Sequence, residues 1–497
     1  MALDLWRIQS MKDILRATFK TGSGSLISLV SGVVTSKIMA VILGPAGIGL
    51  YSMLSQIQQT ATTIGSVGGG AAIVQGIASR EKEERDRYLV TTFWIFIFST
   101  GLVSISVILF APWIAHFTIG QTDDASIGLI RWLALAIALS TISLFFSSLL
   151  NGFRAIGRLA LVSIGAALTT LALSYPISIL VGSGFLAAFV IMFTASAAVG
   201  LLMSIWFAWR SGWLKVLKIK LSAIKIHGDS ARAFFAIGGT TFITGLVGTL
   251  TILVVRSLIV QSGGLFEAGV FNVAWTIGMM YPMIFFSSFG TYYFPTLSQR
   301  KDEQSRTELM TKIFRITIIF IVPIITVGIL VLPLIVSIFY STEFNAAIGT
   351  LKWMFLGDYF RATSWVLAMP LIAYANMRVF FITEILWNLG FLGFSFPAAS
   401  GLAPLEIIGF GFFVTYLFYL IFVKFYSGAK YHFRIQKKPA MAWWLGLALV
   451  GGAFAASWWI SEVNWTLVGI MMIVSVVFVW IILDSNERQY IKRYLRL

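Results

Sequence analysis

Five basic residues, Lys37, Arg131, Arg256, Lys352 and Arg361, stand inside long apolar runs or at their outer ends. A charge in hydrocarbon is expensive, and such residues normally face a water-filled cavity or a partner. The chemistry open to them is anion binding. Arginine offers phosphate a planar fork of donors, and lysine a compact point charge. Each residue taken singly is equally open to a second reading, in which its long side chain reaches the membrane surface. Lys37 precedes Leu43 by six residues and Arg256 precedes Gln261 by five, roughly 8–9 Å of helix in each case.

Carboxylates within the runs are fewer and lie on one side of the chain. Asp358 and Glu384 are embedded in the second half, with Glu267 and Glu406 near outer ends. The first six runs contain no embedded acid. Asp358 and Arg361, three apart on one helix, neutralise each other in the simpler reading. In the other, Asp358 titrates as a proton-coupling group, and Glu384, five or six residues inside its run, either joins it in coupling or reaches the interface. Cysteine is absent, and His116, His227 and His432 are scattered without ligand spacing, so neither a metal site nor a cofactor is expected. An enzyme would need catalytic carboxylates, a metal or a large external loop, and the external loops are short.

The cations recur. Lys37 precedes IMAVILGPAGIGLYSMLSQI and Arg256 precedes SLIVQSGGLFEAGVFNVAWTI, with Gly44 and Gly263 seven residues after each cation. IGLIRWL around Arg131 matches IGTLKWM around Lys352, and Arg158 matches Arg378. These pairs are separated by about 220 residues, the signature of an internal repeat. An even number of crossings between them makes the halves parallel repeats, whose shared site lies between lobes. Gly44–Gly49 has no following Lys-Ser/Thr, so it is a turn and not a phosphate loop.

The elements that must hold these residues are transmembrane helices. Of 497 residues, 58% are hydrophobic and only 11% charged, which excludes a soluble multidomain chain and a disordered one. Fourteen apolar runs are long enough to span a bilayer, three of them at 50–78, 89–115 and 313–340. With the N-terminus in the cytoplasm, 31 of 36 Lys and Arg fall in cytoplasmic segments and none in external loops. That asymmetry accounts for the net charge of +16 without nucleic acid. Trp206, Trp209, Trp213, Trp443 and Trp444 flank cytoplasmic ends, and Trp113, Trp458, Trp459 and Trp465 external ends.

The expected fold is all-α integral membrane, two parallel-repeat lobes of six helices plus an appended pair. Residues 1–20 form a cytoplasmic leader, either an interfacial helix with Leu5, Ile8, Met11, Leu15 and Phe19 on one face or a plain extension. Residues 21–210 form the N-lobe, 211–232 a basic linker and 233–427 the C-lobe. A basic loop and the last helix pair occupy 428–484, and 485–497 a cytoplasmic tail. Gly65, Gly68, Gly69 and Gly70 soften the second span, and Pro282, Pro323, Pro333, Pro370 and Pro397 interrupt second-lobe spans.

At these residues a family is visible. Lys37-IMAVILGPAGIGL, RWLAL around Arg131, NGFR at 151–154, EAGVFN at 267–272, YFPTL at 293–297 and FLGDYFRA at 355–362 resemble Wzx-type flippases. These belong to the multidrug/oligosaccharidyl-lipid/polysaccharide exporter superfamily, and the likeness is to the O-antigen and enterobacterial-common-antigen branch. It covers roughly residues 14–390, and the last two spans exceed the twelve typical of that branch. The resemblance implies alternating access and a cationic cavity. The implied substrate is a polyprenyl-diphosphate-linked oligosaccharide moved to the outer leaflet of the bacterial inner membrane, with polymerase and chain-length proteins as partners. The other reading within the superfamily is cation-coupled drug antiport, disfavoured by the acid-free first lobe.

Overall fold

The computed structural model describes residues 2–215, 227–300, 302–459, 462–484 and 487–488. Half of the linker expected at 211–232, residues 216–226, and almost all of the tail at 485–497 lie outside these residues, as do the side chains of the leader. The described chain is helical throughout and divides into two compact units, Met1–Gly269 and Val270–Leu497.

The first unit holds α1 (Ala2–Ser66), α2 (Gly69–Ala78), α3 (Lys82–Leu109), α4 (Ala111–Ile119), α5 (Asp124–Gly152), α6 (Ile156–Gly182), α7 (Ala188–Arg210) and the first part of α8 (Gly228–Gln299). Helix begins at Ala2, so the leader continues directly into the first span. Inside the unit α5 packs on α7, α3, α2 and α1, while α6 packs on α1 and α7. Its core is aromatic. Phe93, Phe96, Phe145 and Phe146 meet edge to face or tilted, and the buried Tyr88 donates to the Ala72 carbonyl at 2.9 Å.

The second unit continues α8 and adds α9 (Glu303–Leu330), α10 (Leu332–Phe339), α11 (Ala347–Ala373), α12 (Met377–Ala399), α13 (Glu406–Tyr431), α14 (Lys437–Ser457) and α15 (Trp465–Ile482). Here α11 is central, packed on α13, α9 and α14, and α12 lies on α13. The appended pair sits on this unit, with α14 and α15 both against α9. Asp302 caps α9 by accepting from the Ser305 amide at 2.7 Å. Hydrogen bonds from Ser305 hold that exposed carboxyl below its ordinary range.

Eleven described helices are long and apolar enough to cross a membrane. Two of them, the 40 residues of Ile27–Ser66 and the 56 of Gly228–Met283, far exceed the ~20 residues of one crossing. Each is broken by a glycine outside helical space, Gly44 (φ 62, ψ −166) and Gly264 (φ 73, ψ −172). With these divided, and with α11 and its three charged residues added, fourteen segments stand where fourteen were expected. Large apolar side chains face outward, as lipid permits and water would not, Trp459 being 91% exposed. Of the tryptophans assigned to the interfaces, two turn inward: Trp213 stacks on Phe153 at 4.3 Å and Trp443 packs on Tyr359.

The repeat reaches into local geometry. Helices α3 and α9 both have 28 residues, and each is followed across one residue by a short helix with proline in its first turn. The runs at 89–115 and 313–340 therefore each divide, and Pro333 opens a helix instead of interrupting one. Pro176 in α6 answers Pro397 in α12, and positive φ at Arg154 answers Ala375. All recur about 220 residues apart, as parallel repeats require. One register is corrected: the partner of Gly44 is Gly264, eight residues after Arg256, because that is the glycine whose backbone leaves the helix.

Candidate functional site

Lys37 and Arg256 each stand about two turns before a broken glycine. After the break the two chains approach backbone to backbone. A Cβ added to Gly49 would lie 1.9 Å from the Leu265 carbonyl oxygen, and one added to Gly269 would lie 1.9 Å from that of Pro45. The contact is reciprocal between repeat-related glycines, and no side chain larger than hydrogen fits it. Beside it, Arg256 is 6% exposed and donates through Nη1 to the Ser52 carbonyl at 3.0 Å. The buried Gln56 donates to the Thr249 carbonyl at 3.1 Å. The segment that follows Gly44 thereby fixes the height of the guanidinium. Lys37 is half-buried on the segment before Gly44, and Arg131 is exposed on α5 beside an exposed Trp132.

In the second unit the repeat partner of Arg131 has a different setting. Lys352 donates to the carbonyl of Ser457, the last residue of α14, at 2.7 Å, with its ammonium 4.6 Å from the centre of the Trp458 ring. A cation at a helix C-terminus answers unpaired carbonyls there. This lysine fastens the appended pair to α11.

Asp358 and Arg361 are brought together as their spacing implied, with Arg361 Nη1 at 3.3 Å from Asp358 Oδ1. The structure adds a third member, since the Tyr281 hydroxyl donates to Asp358 Oδ2 at 2.6 Å. Arg361 also lies over the rings of Phe286 at 5.3 Å and Tyr416 at 5.6 Å. The carboxylate is 1% exposed, so both of its oxygens are committed inside protein. Glu384, on α12, is partly buried. Tyr281 escaped sequence reasoning because it lies 77 residues before its partner. Its only local signal is a polar tip in an otherwise apolar run.

Comparison with known proteins agrees with this architecture. Residues 14–301 match the family described as polysaccharide biosynthesis protein. The lipid III flippase of Escherichia coli strain K12 is 25% identical over 389 residues, covering 75% of this chain and 88% of the relative. Among solved structures, the lipid II flippase MurJ in an inward closed conformation superposes with a TM-score of 0.69 at 15% identity. That match covers 96% of this chain and 100% of the other. An inward-facing multidrug resistance MATE family transporter of the MOP superfamily gives 0.66 at 13%, covering 81% and 95%. Likenesses of so low an identity carry the fold, and the family match carries membership: the chain belongs to the polysaccharide biosynthesis protein family.

Proposed function

We propose that this protein is a flippase for a lipid-linked oligosaccharide. It moves a polyprenyl-diphosphate-linked glycan from the cytoplasmic to the outer leaflet of a bacterial inner membrane, with both termini in the cytoplasm. The observation that carries the reading is the charge of the first unit's membrane segments. Up to Gly264 they hold Lys37, Arg131 and Arg256, and their acids stand only at helix starts and in loops. A site of that sign suits a diphosphate and repels the cations a drug antiporter carries. The match to a lipid III flippase supports the same reading.

Lys37 and Arg256 are the first diphosphate contacts in this reading and Arg131 the third in the first unit, while Lys352 and Arg361, the embedded cations of the second unit, would meet substrate only on leaving Ser457 and Asp358. Asp358 and Glu384 are the carboxylates for coupling to a proton or sodium gradient. The glycan rides in an aqueous cavity while the lipid tail stays in the bilayer, and transport proceeds by alternating access. A surface-polysaccharide polymerase and chain-length proteins consume the product.

Deleting the gene and extracting the lipid-linked glycan tests the reading, which expects cytoplasmic-face accumulation. Complementation with Lys37→Ala or Arg256→Ala is expected to restore export about tenfold less well than wild type at matched abundance, the scale of one lost charged contact. Full export by both variants removes these cations from the mechanism.

A further inference from the structure

Within the first unit, α1, α5, α6 and α7 line an open-sided chamber of about 460 Å³, within the range of small-molecule sites. Its lining contains no ionised residue, yet hydroxyls and one amide face it from all four helices. Ser140, Ser143 and Ser147 form a stripe at helical spacing on α5. Gln58 donates to the Ser140 hydroxyl at 2.8 Å, and Thr170 and Ser196 meet across α6 and α7 at 3.1 Å. The hydroxyl oxygen of Thr62 is buried and has no hydrogen-bond partner among the described residues. On the same wall Tyr51 stacks on Phe193, centroids 5.2 Å apart and rings nearly parallel.

Polar groups so dense in a lipid-immersed bundle are costly unless something satisfies them. A hydroxyl that gives its proton to a backbone carbonyl, as Thr170 does to Ala166, keeps only lone pairs to offer. Ser163 and Ser196 likewise donate to backbone carbonyls and present lone pairs, while Gln58 and Thr62 bring protons, so the wall is uncharged, offers both acceptors and donors, and is flanked by aromatic rings. Its complement is a neutral molecule rich in hydroxyls, which both give and accept, that also has an apolar ring face. A bare cation needs a tight oxygen shell, usually with carboxylate, and this chamber is wide and acid-free.

We propose that the chamber binds a neutral pyranose ring of the transported glycan, while the basic residues take the diphosphate. The inference rests on the flippase reading and extends it, dividing recognition between a charge-reading site and a hydroxyl-reading one.

The chain has no cysteine, so Ser143→Cys puts a single thiol in the chamber with little change of shape. The full chain in lipid nanodiscs is treated with a small water-soluble thiosulfonate. The probes are glucose, N-acetylglucosamine, inorganic pyrophosphate and sodium chloride against choline chloride. The expected result is ready labelling, slowed about threefold by one of the sugars at about twice its Kd, and unchanged by pyrophosphate or sodium. A thiol that does not label, labelling that neither sugar slows, or slowing by sodium overturns the proposal. In cells, Ser196→Leu narrows the chamber and replaces one of its hydroxyls with hydrocarbon, and is expected to cut export about tenfold at matched abundance. Normal export by Ser196→Leu alongside the Lys37→Ala defect defeats the chamber and leaves the flippase standing. Failure of lipid-linked glycan to accumulate in the deletion strain defeats the flippase reading itself.

Discussion

At the residue scale, the five embedded cations share a chemistry and differ in what they touch. Arg256 is held by a backbone carbonyl, Lys352 is given over to the end of α14, and Arg361 is paired with Asp358. Partners of this kind are acquired by folding, and neither residue type nor spacing specifies most of them. The Asp358–Arg361 pair is the exception, because three residues along a helix bring side chains to one face. Breaking a buried pair by removing one member leaves an uncompensated charge, costing about 3–5 kcal/mol. Asp358→Asn is therefore expected to lower the detergent-solubilised protein's unfolding temperature sharply. Asp358→Asn with Arg361→Met should recover most of the loss. A double variant no more stable than Asp358→Asn alone contradicts the pairing.

At the element scale, glycines decide where the chain breaks. Two of the longest helices are each divided by a single glycine in a region closed to other residues. Sequence reasoning found the Gly44 turn from its Gly-Pro-Ala-Gly pattern but placed its partner one residue early, since Gly263 and Gly264 are adjacent and identical. Gly49 and Gly269 could not be singled out among 44 glycines, because their need for hydrogen comes from another segment's carbonyl. Gly49→Ala and Gly269→Ala are each expected to destabilise the protein by about 1–3 kcal/mol, the range for overpacking. Gly239→Ala, which meets nothing within 4 Å, should leave stability unchanged. Equal melting temperatures for all three would show that the close approach is not constraining.

At the scale of the whole molecule, the last two helices are part of the second unit's packing. Tyr359 donates to the Trp443 carbonyl at 2.5 Å, and Arg315 on α9 binds Asp484 and, at 2.7 Å, Glu487 beyond α15. Truncation after residue 435 should therefore reduce membrane abundance several-fold by exposing the packed faces of α9 and α11. Asp484→Asn with Glu487→Gln should cost far less, since both acids are partly solvated. A truncated chain as abundant as wild type would mark the pair as dispensable to folding.

The all-helical membrane class, the fourteen crossings and the repeat were legible in the chain alone. Hydrocarbon rewards long apolar runs one helix at a time, and a repeat is written in sequence before it is folded. The embedded cations were legible too, because each is an exception to its own surroundings. What only tertiary structure decided is which side chains meet. The Tyr281 hydroxyl on Asp358, the hold of Lys352 on Ser457, and the chamber shared by four helices join residues tens of positions apart. Contacts of that range depend on which faces of neighbouring helices pack together, and every lipid-soluble face looks equally apolar in sequence.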